Sequence, residues 1–158
     1  MDSELPDLPL ARLFTMAARA LTDELHDRLA ARGFPDVPPA AGYVLLACRT
    51  SPATGNELAA LMRTSRQAAS KLIEGLEAAG LVERSTDEAD SRRKLVVLSA
   101  RGQQLLGAAE EIYAELEQEW ADVVGRPAVE DLRTNVTRAL LHTYGGKLPG
   151  IGPVTPPG

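Results

Sequence analysis

Ligating and nucleophilic side chains are scarce in this chain. Its 158 residues hold one cysteine, Cys48, and two histidines, His26 and His142, far apart in sequence. A structural zinc site usually needs about four Cys/His ligands, and neither Cys-x-x-Cys nor His-x-x-x-His spacing occurs. No glycine-rich phosphate loop, Gly-x-Ser-x-Gly elbow or paired-carboxylate site stands out, so a hydrolase or transferase fits poorly, and neither metal nor cofactor is expected. Long apolar runs are missing too: no stretch approaches the roughly 18 to 20 residues of a membrane span. The start, Met1-Asp2-Ser3-Glu4, lacks the basic region of a signal peptide, and the expectation is a cytoplasmic protein. Aromatics are few, at 4%, but a hydrophobic content of 44% suffices for one buried core and hence one domain. Cations are outnumbered, 17 Lys/Arg against 22 Asp/Glu.

What the chain does have is concentrated between Thr54 and Gly102. Thr54-Gly55-Asn56-Glu57 and Thr64-Ser65-Arg66-Gln67 both match the capping-box pattern, which satisfies orphan amides at a helix start. They predict two helices, over about residues 55–62 and 65–79. The first places Leu58, Leu61 and Met62 on one face; the second places Ala68, Ala69, Leu72, Ile73 and Leu76 on one face. Gly80 supplies the left-handed stop. Left outward at the start of the second helix are Ser65, Arg66, Gln67, Ser70 and Lys71, side chains of the kind that read base edges and phosphates.

Residues 81–86 and 94–98 are short and partly β-branched, and predict two strands of a hairpin. Its tip is the charged run Asp87-Glu88-Ala89-Asp90-Ser91-Arg92-Arg93-Lys94. A tip with three consecutive cations is not core, and beside a recognition helix it is placed to enter a minor groove. Helix, turn, helix, charged hairpin reads as a winged helix-turn-helix that binds duplex DNA. The net charge of −5 opposes this only if charge is evenly spread. Residues 63 to 101 carry eight Lys/Arg against six Asp/Glu, leaving nine against sixteen elsewhere. Phosphate neutralisation at one face tolerates acidity on the others.

The remaining chain reads as helices. Leu10, Phe14, Ala17, Leu21, Leu25 and Leu29 repeat at spacings of three and four, predicting a helix over about residues 9–32. A shorter one follows Pro38-Pro39 to about Arg49, offering Tyr43, Val44, Leu45, Leu46 and Cys48 to a core, and Cys48 reads as a small buried hydrophobe. His26 reads as a surface or interface residue. A third, over residues 100–124, carries Leu105, Ala109, Ile112, Leu116, Trp120 and Val123. A last helix starts with Pro127 at its first position and carries Val129, Leu132, Val136, Leu140 and Tyr144. The stretch 145–158, rich in Gly and Pro, reads as disordered.

The runs Glu57-Leu58-Ala59, Leu76-Glu77-Ala78-Ala79-Gly80-Leu81-Val82-Glu83-Arg84, Asp87 with Asp90-Ser91-Arg92-Arg93, and Val97-Leu98-Ser99-Ala100-Arg101-Gly102 resemble the MarR family of bacterial transcription regulators. The resemblance covers about residues 10 to 144. It departs from the family at Ser91, where the first wing arginine often stands, and at Ser99, a swap of one capping hydroxyl for another. It implies a mainly α fold with a small β-hairpin wing. A winged lobe over about residues 40–100 is joined in one domain (1–144) to dimerisation helices at about 9–32 and 100–144. It also implies a homodimeric regulator, usually a repressor, on a palindromic operator in double-stranded DNA, released by a small-molecule effector lodged between the lobes. No effector residues carry over. The expected DNA contacts are Thr64, Ser65, Arg66, Gln67, Ser70 and Lys71 in the recognition helix, with Asp90, Ser91, Arg92, Arg93 and Lys94 in the wing. Arg92 is the expected minor-groove cation, its guanidinium held by Asp90. The alternative is a winged-helix protein-interaction module that has lost DNA binding, for which global acidity speaks.

Overall fold

The structure, a computed structural model, describes residues 5–148. Six helices and three strands follow one another as α1 (Leu10–Ala31), α2 (Ala41–Thr50), β1 (Ala53–Thr54), α3 (Gly55–Leu61), α4 (Arg66–Ala78), β2 (Val82–Thr86), β3 (Lys94–Leu98), α5 (Ala100–Val124) and α6 (Arg126–Thr143). The fold is mainly helical with a small antiparallel sheet in the order β1-β3-β2. The hairpin pairs Val82 with Leu98 and Thr86 with Lys94; β1 adds Ala53 opposite Val96 and Thr54 opposite Leu95.

The third strand was not expected. Ser51 is extended, as the residue before a proline must be, so the chain leaves α2 and meets β3 for two residues before Thr54 caps α3. Two residues are too few to show alternation.

The core gathers Val44 and Leu45 of α2, Leu58 of α3, Ile73 and Leu76 of α4, Val82 and Val96 of the hairpin and Ile112 of α5, all almost wholly buried. Each contributes on the order of 1.5 to 3 kcal/mol of transfer free energy. The helical stripes behave unevenly. Leu25 and Leu29 of α1 are buried, whereas Leu10 and Phe14 on the same stripe are exposed, as are Trp120, Val123, Leu132 and Leu140. Ala68, expected on the buried face of α4, is exposed, because the buried positions Ala69, Ile73 and Leu76 centre the face one residue further on.

Helix ends follow one rule. In α1, α3, α4 and α6 the N–H two residues past the cap bonds to the carbonyl five residues back: Phe34 to Leu29, Thr64 to Ala59, Leu81 to Leu76 and Gly146 to Leu141, at 2.7–3.0 Å. This closure needs a left-handed residue, supplied by Gly33, Gly80 and Gly145 and, after α3, by Arg63 at φ 52°. Residues 145–148, expected to begin a disordered tail, therefore start with a hydrogen-bonded helix stop; residues 149–158 of that expectation lie outside the described residues. Pro127 sits one position inside α6, whose first residue is Arg126.

Arg28 of α1 and Arg32, the residue that caps its C-terminus, lie against α5. Arg28 pairs with Glu115 and Glu119, and Arg32 with Glu111 and Glu115. Acidic α5 is thus neutralised from within the chain along this edge.

Candidate nucleic-acid interface

The start of α4 is built by a turn of three residues. Arg63 takes the left-handed conformation, Thr64 closes α3, and Ser65 caps α4 by accepting the Ala68 N–H on its hydroxyl at 3.1 Å. The expected capping box from Thr64 to Gln67 is therefore wrong by one residue, since Thr64 is spent on ending α3. The first box holds: Thr54 Oγ1 accepts from Glu57 N at 3.1 Å, and Thr54 N donates to Glu57 Oε2 at 3.3 Å. With Ser65 as the cap, Gln67 is the second helical residue and its amide is not spent on the backbone. Thr64, Ser65, Arg66, Gln67, Ala68, Ser70 and Lys71 are all exposed.

The wing tip is ordered by two aspartates acting on backbone. Asp87 Oδ1 accepts from Ala89 N at 2.9 Å and Asp90 Oδ1 from Arg92 N at 3.0 Å, while Arg93 N donates to Asp90 O and Asp87 N to Arg93 O. Asp90 thus holds the Arg92 amide and not its guanidinium, which corrects the expected pairing. The side chain that is held is that of Arg93. It donates to Glu57 Oε1 at 2.9 Å and lies 3.5 Å from Asp87 Oδ2, tying the wing to the start of α3. Lys94 donates to Thr86 Oγ1 across the hairpin. Among the described residues Arg63, Arg66, Lys71 and Arg92 enter no ion pair. Ser91 lies exposed in the turn.

The base of the hairpin is locked to α5. Ser99 Oγ donates to Gly80 O at 2.6 Å and accepts from Gly102 N at 3.0 Å, and Ser99 N donates to Leu81 O. Gly102 lies so close to that carbonyl that a Cβ would fall 2.2 Å from it. Arg101 donates to Gly33 O and stacks 4.7 Å over the Phe34 ring, joining the same turn to the end of α1.

Three contributors were not foreseen. Glu57 was read as a cap alone, and no local pattern shows its long-range bond to Arg93. Nothing in the sequence singles out Arg63, whose place is set by its left-handed conformation after α3. Ala68 was assigned to the core by its apolarity, and a helical phase fitted to Ala69, Ile73 and Leu76 alone would have turned it outward.

Between α1, the loop before α2, α2 and α5 lies a cavity of about 520 Å³ whose wall includes Leu25, His26, Tyr43, Leu106, Glu110 and Tyr113. Burial, and after it the nearby Tyr43 phenol, raises the Tyr113 pKa above the ordinary value. Cys48 is buried, and burial likewise pushes its thiol up. Among the described residues no three His, Cys, Asp or Glu side chains converge as a metal site would require, and no helix is long and apolar enough to cross a membrane.

The model of the MarR family matches residues 36–93, from the loop before α2 to the wing. No functionally characterised protein matches the chain by sequence. Among solved structures, MepR of Staphylococcus aureus, a transcription regulator of the multidrug efflux pump MepA, is similar with a TM-score of 0.67 at 24% identity, over 86% of this chain and 99% of that one. A variant of MarR from Escherichia coli gives 0.69 at 24% identity, with 86% and 99% covered. A variant of MepR bound to an oligodeoxyribonucleotide gives 0.61 at 23%, with 87% and 99% covered. These likenesses carry the same fold beyond the winged lobe, through α1, α5 and α6. The sequence model of the MarR family thus matches the winged lobe, and the chain shares the fold of MarR-family regulators along most of its length.

Proposed function

We propose that the chain is a sequence-specific DNA-binding regulator, a cytoplasmic homodimer that represses transcription from a palindromic operator until a small-molecule effector releases it. The observation that carries this reading is the exposed run Thr64, Ser65, Arg66, Gln67, Ser70 and Lys71 at the start of α4, whose cations enter no ion pair among the described residues. Arg66 and Gln67 suit base edges, and the free amides of the first turn suit phosphate. Lys71, a turn further along, suits a phosphate anchor. In the wing, Arg92 is the cation free to enter a minor groove. Asp90 and Ser91 shape the turn that presents it, Arg93 fixes the wing against α3, and Lys94 adds charge where the turn enters β3. The oligodeoxyribonucleotide bound by a MepR variant supports DNA as the partner.

A second copy is the natural cover for the apolar surface shared by α1, α5 and α6. A groove of about 470 Å³ there is walled by Phe14, Leu21, Trp120, Val129, Leu132 and Val136, and beyond it Val123 is 84% exposed. Two-fold pairing would place two α4 helices on two half-sites. The cavity between α1, α2 and α5 is the site proposed for the effector.

Gel-shift titration of the duplex upstream of the protein's own gene, against scrambled duplex at matched salt, tests the reading. A sequence-dependent shift supports it. Equal affinity for both duplexes, or none, would leave the protein-interaction module in its place.

A further inference from the structure

The wall of the α1–α2–α5 cavity is one-sided in charge. It includes one carboxylate, Glu110, and neither lysine nor arginine. The arginines at the C-terminal end of α1 that face α5 are engaged elsewhere, Arg28 with Glu115 and Glu119 and Arg32 with Glu111 and Glu115. Arg49 pairs with Glu110 but itself lines a different cleft, beside Cys48 and Val97. The other polar groups of the wall are chiefly the phenols of Tyr43 and Tyr113 and the imidazole of His26, set in an apolar surround that includes Leu25, Leu29 and Leu106.

An aromatic carboxylate placed here would be stripped of water beside a carboxylate, and the nearby guanidinium, that of Arg49, is already engaged by that same carboxylate. A cation of the same shape would instead have the Glu110 carboxylate and the aromatic rings of Tyr43 and Tyr113 in the wall around it. We propose that this cavity selects an aromatic cation, a bulky apolar body with a quaternary or delocalised positive charge. The proposal rests on the reading of the cavity as the effector site and adds to it the ligand's charge.

The same residue gives the ligand a lever. Among the described residues Arg49–Glu110 is the one ion pair that joins α2 to α5. A cation seated against Glu110 competes with Arg49 for that carboxylate. Arg49 lies in the last turn of α2, the helix that packs against α4 and β3. Ligand charge is thereby coupled to the link between the winged lobe and α5.

Two probes of nearly equal shape and opposite charge, tetraphenylphosphonium and tetraphenylborate, with triphenylphosphine oxide as a smaller neutral one, test this on the full-length protein by isothermal titration calorimetry. The control is Gly42→Leu, since Gly42 lines the cavity and a Cβ there meets nothing within 4 Å, so the new side chain fills the space without a clash at its root. Ala109→Leu is a second filler, and thermal melts confirm that both fold. The cation is expected to bind about tenfold or more tightly than the borate, to lose about tenfold in Gly42→Leu, and to lose roughly three- to tenfold in Glu110→Gln while the oxide does not change. Borate or oxide binding as tightly as the cation, at a site blocked by Gly42→Leu, would overturn the charge selection and leave the effector site standing. Cation binding indifferent to Glu110→Gln would also overturn it. If no probe shows binding that Gly42→Leu and Ala109→Leu both weaken, the effector-site reading itself falls.

Discussion

Replacing Gly102 by alanine sets two effects of opposite sign against each other at one atom. Helix propensity favours the change by about 0.8 to 1.0 kcal/mol within a helix. Sterics oppose it: the new Cβ would lie 2.2 Å from Leu81 O and 2.5 Å from Leu98 Cδ1. The leucine methyl can rotate away. The carbonyl cannot, because it accepts from Ser99 N at 3.1 Å and belongs to the turn that stops α4. A carbon and a carbonyl oxygen settle at about 3.3 Å or more, so the first turn of α5 must retreat by on the order of 1 Å. Overpacking of this kind costs about 1 to 3 kcal/mol, and weakening the Ser99 bond adds about 0.5 to 1 kcal/mol. Net of propensity, Gly102→Ala is expected to destabilise by about 0.5 to 3 kcal/mol, a fall in Tm of roughly 1 to 12 °C for a chain of this size. Gly107, five residues along the same helix, supplies the control, since a Cβ there meets nothing within 4 Å. Gly107→Ala should melt no lower than the parent and up to about 4 °C higher. Both are read by far-UV circular dichroism at one protein concentration, because association makes melting concentration-dependent. A Gly102→Ala protein as stable as the parent would refute the close approach on which the joint between wing and α5 depends.

Four further outcomes are expected. Arg92→Ala should weaken operator binding most on flanks with narrow, A·T-rich minor grooves, whereas Arg93→Ala should weaken all operators alike by freeing the wing from Glu57; fluorescence anisotropy on flank-swapped duplexes separates them, and identical profiles would refute the division. Gln67→Ala should cost roughly 1 to 3 kcal/mol on the operator and little on scrambled duplex, while Lys71→Ala should weaken both and lower the salt slope by about one unit; an unchanged sequence preference in Gln67→Ala removes it from base readout. Arg63→Gly should raise thermal stability by up to about 1 kcal/mol, by relieving a left-handed side chain, and still weaken DNA binding; a loss of stability would show that Arg63 is held for the fold. Removal of residues 1–32 should give aggregated or unfolded protein by light scattering and circular dichroism, and a soluble, cooperatively melting monomer would refute the dimer model.

The parts of this molecule legible in its sequence are those specified within one helical turn or one strand. The apolar spacing from Leu10 to Leu29, the box at Thr54 and Glu57, the stop at Gly80 and the charged tip between two β-branched runs each have a local cause, and each element came out within a residue or two of its expected limits. What escaped was specified by distant partners. β1 exists because Leu95 and Val96 offer it an edge, and Glu57 meets Arg93 because β3 carries the wing back past α3. The slip at Thr64 has the same origin. Two hydroxyls stand side by side, and which one caps α4 is decided by how α3 ends, with Thr64 N already bonded to Ala59 O. Ala68 failed for another reason, in that alanine is apolar enough for a core and small enough for a surface.

The cations that the fold leaves unpaired differ from those it uses in what their replacement would do over evolutionary time. Among the described residues the side chains of Arg66, Lys71 and Arg92 make no ion pair, so a substitution at any of them leaves the helices, the sheet and the cap at Ser65 as they were. Arg93 has no such freedom, because the carboxylate it holds also caps α3, and a change there disturbs the wing and a helix start together. If the chain reads DNA as proposed, a gene duplicate of it can therefore drift to a new operator through the first set without passing through an unstable intermediate, while the orientation of the wing stays inherited.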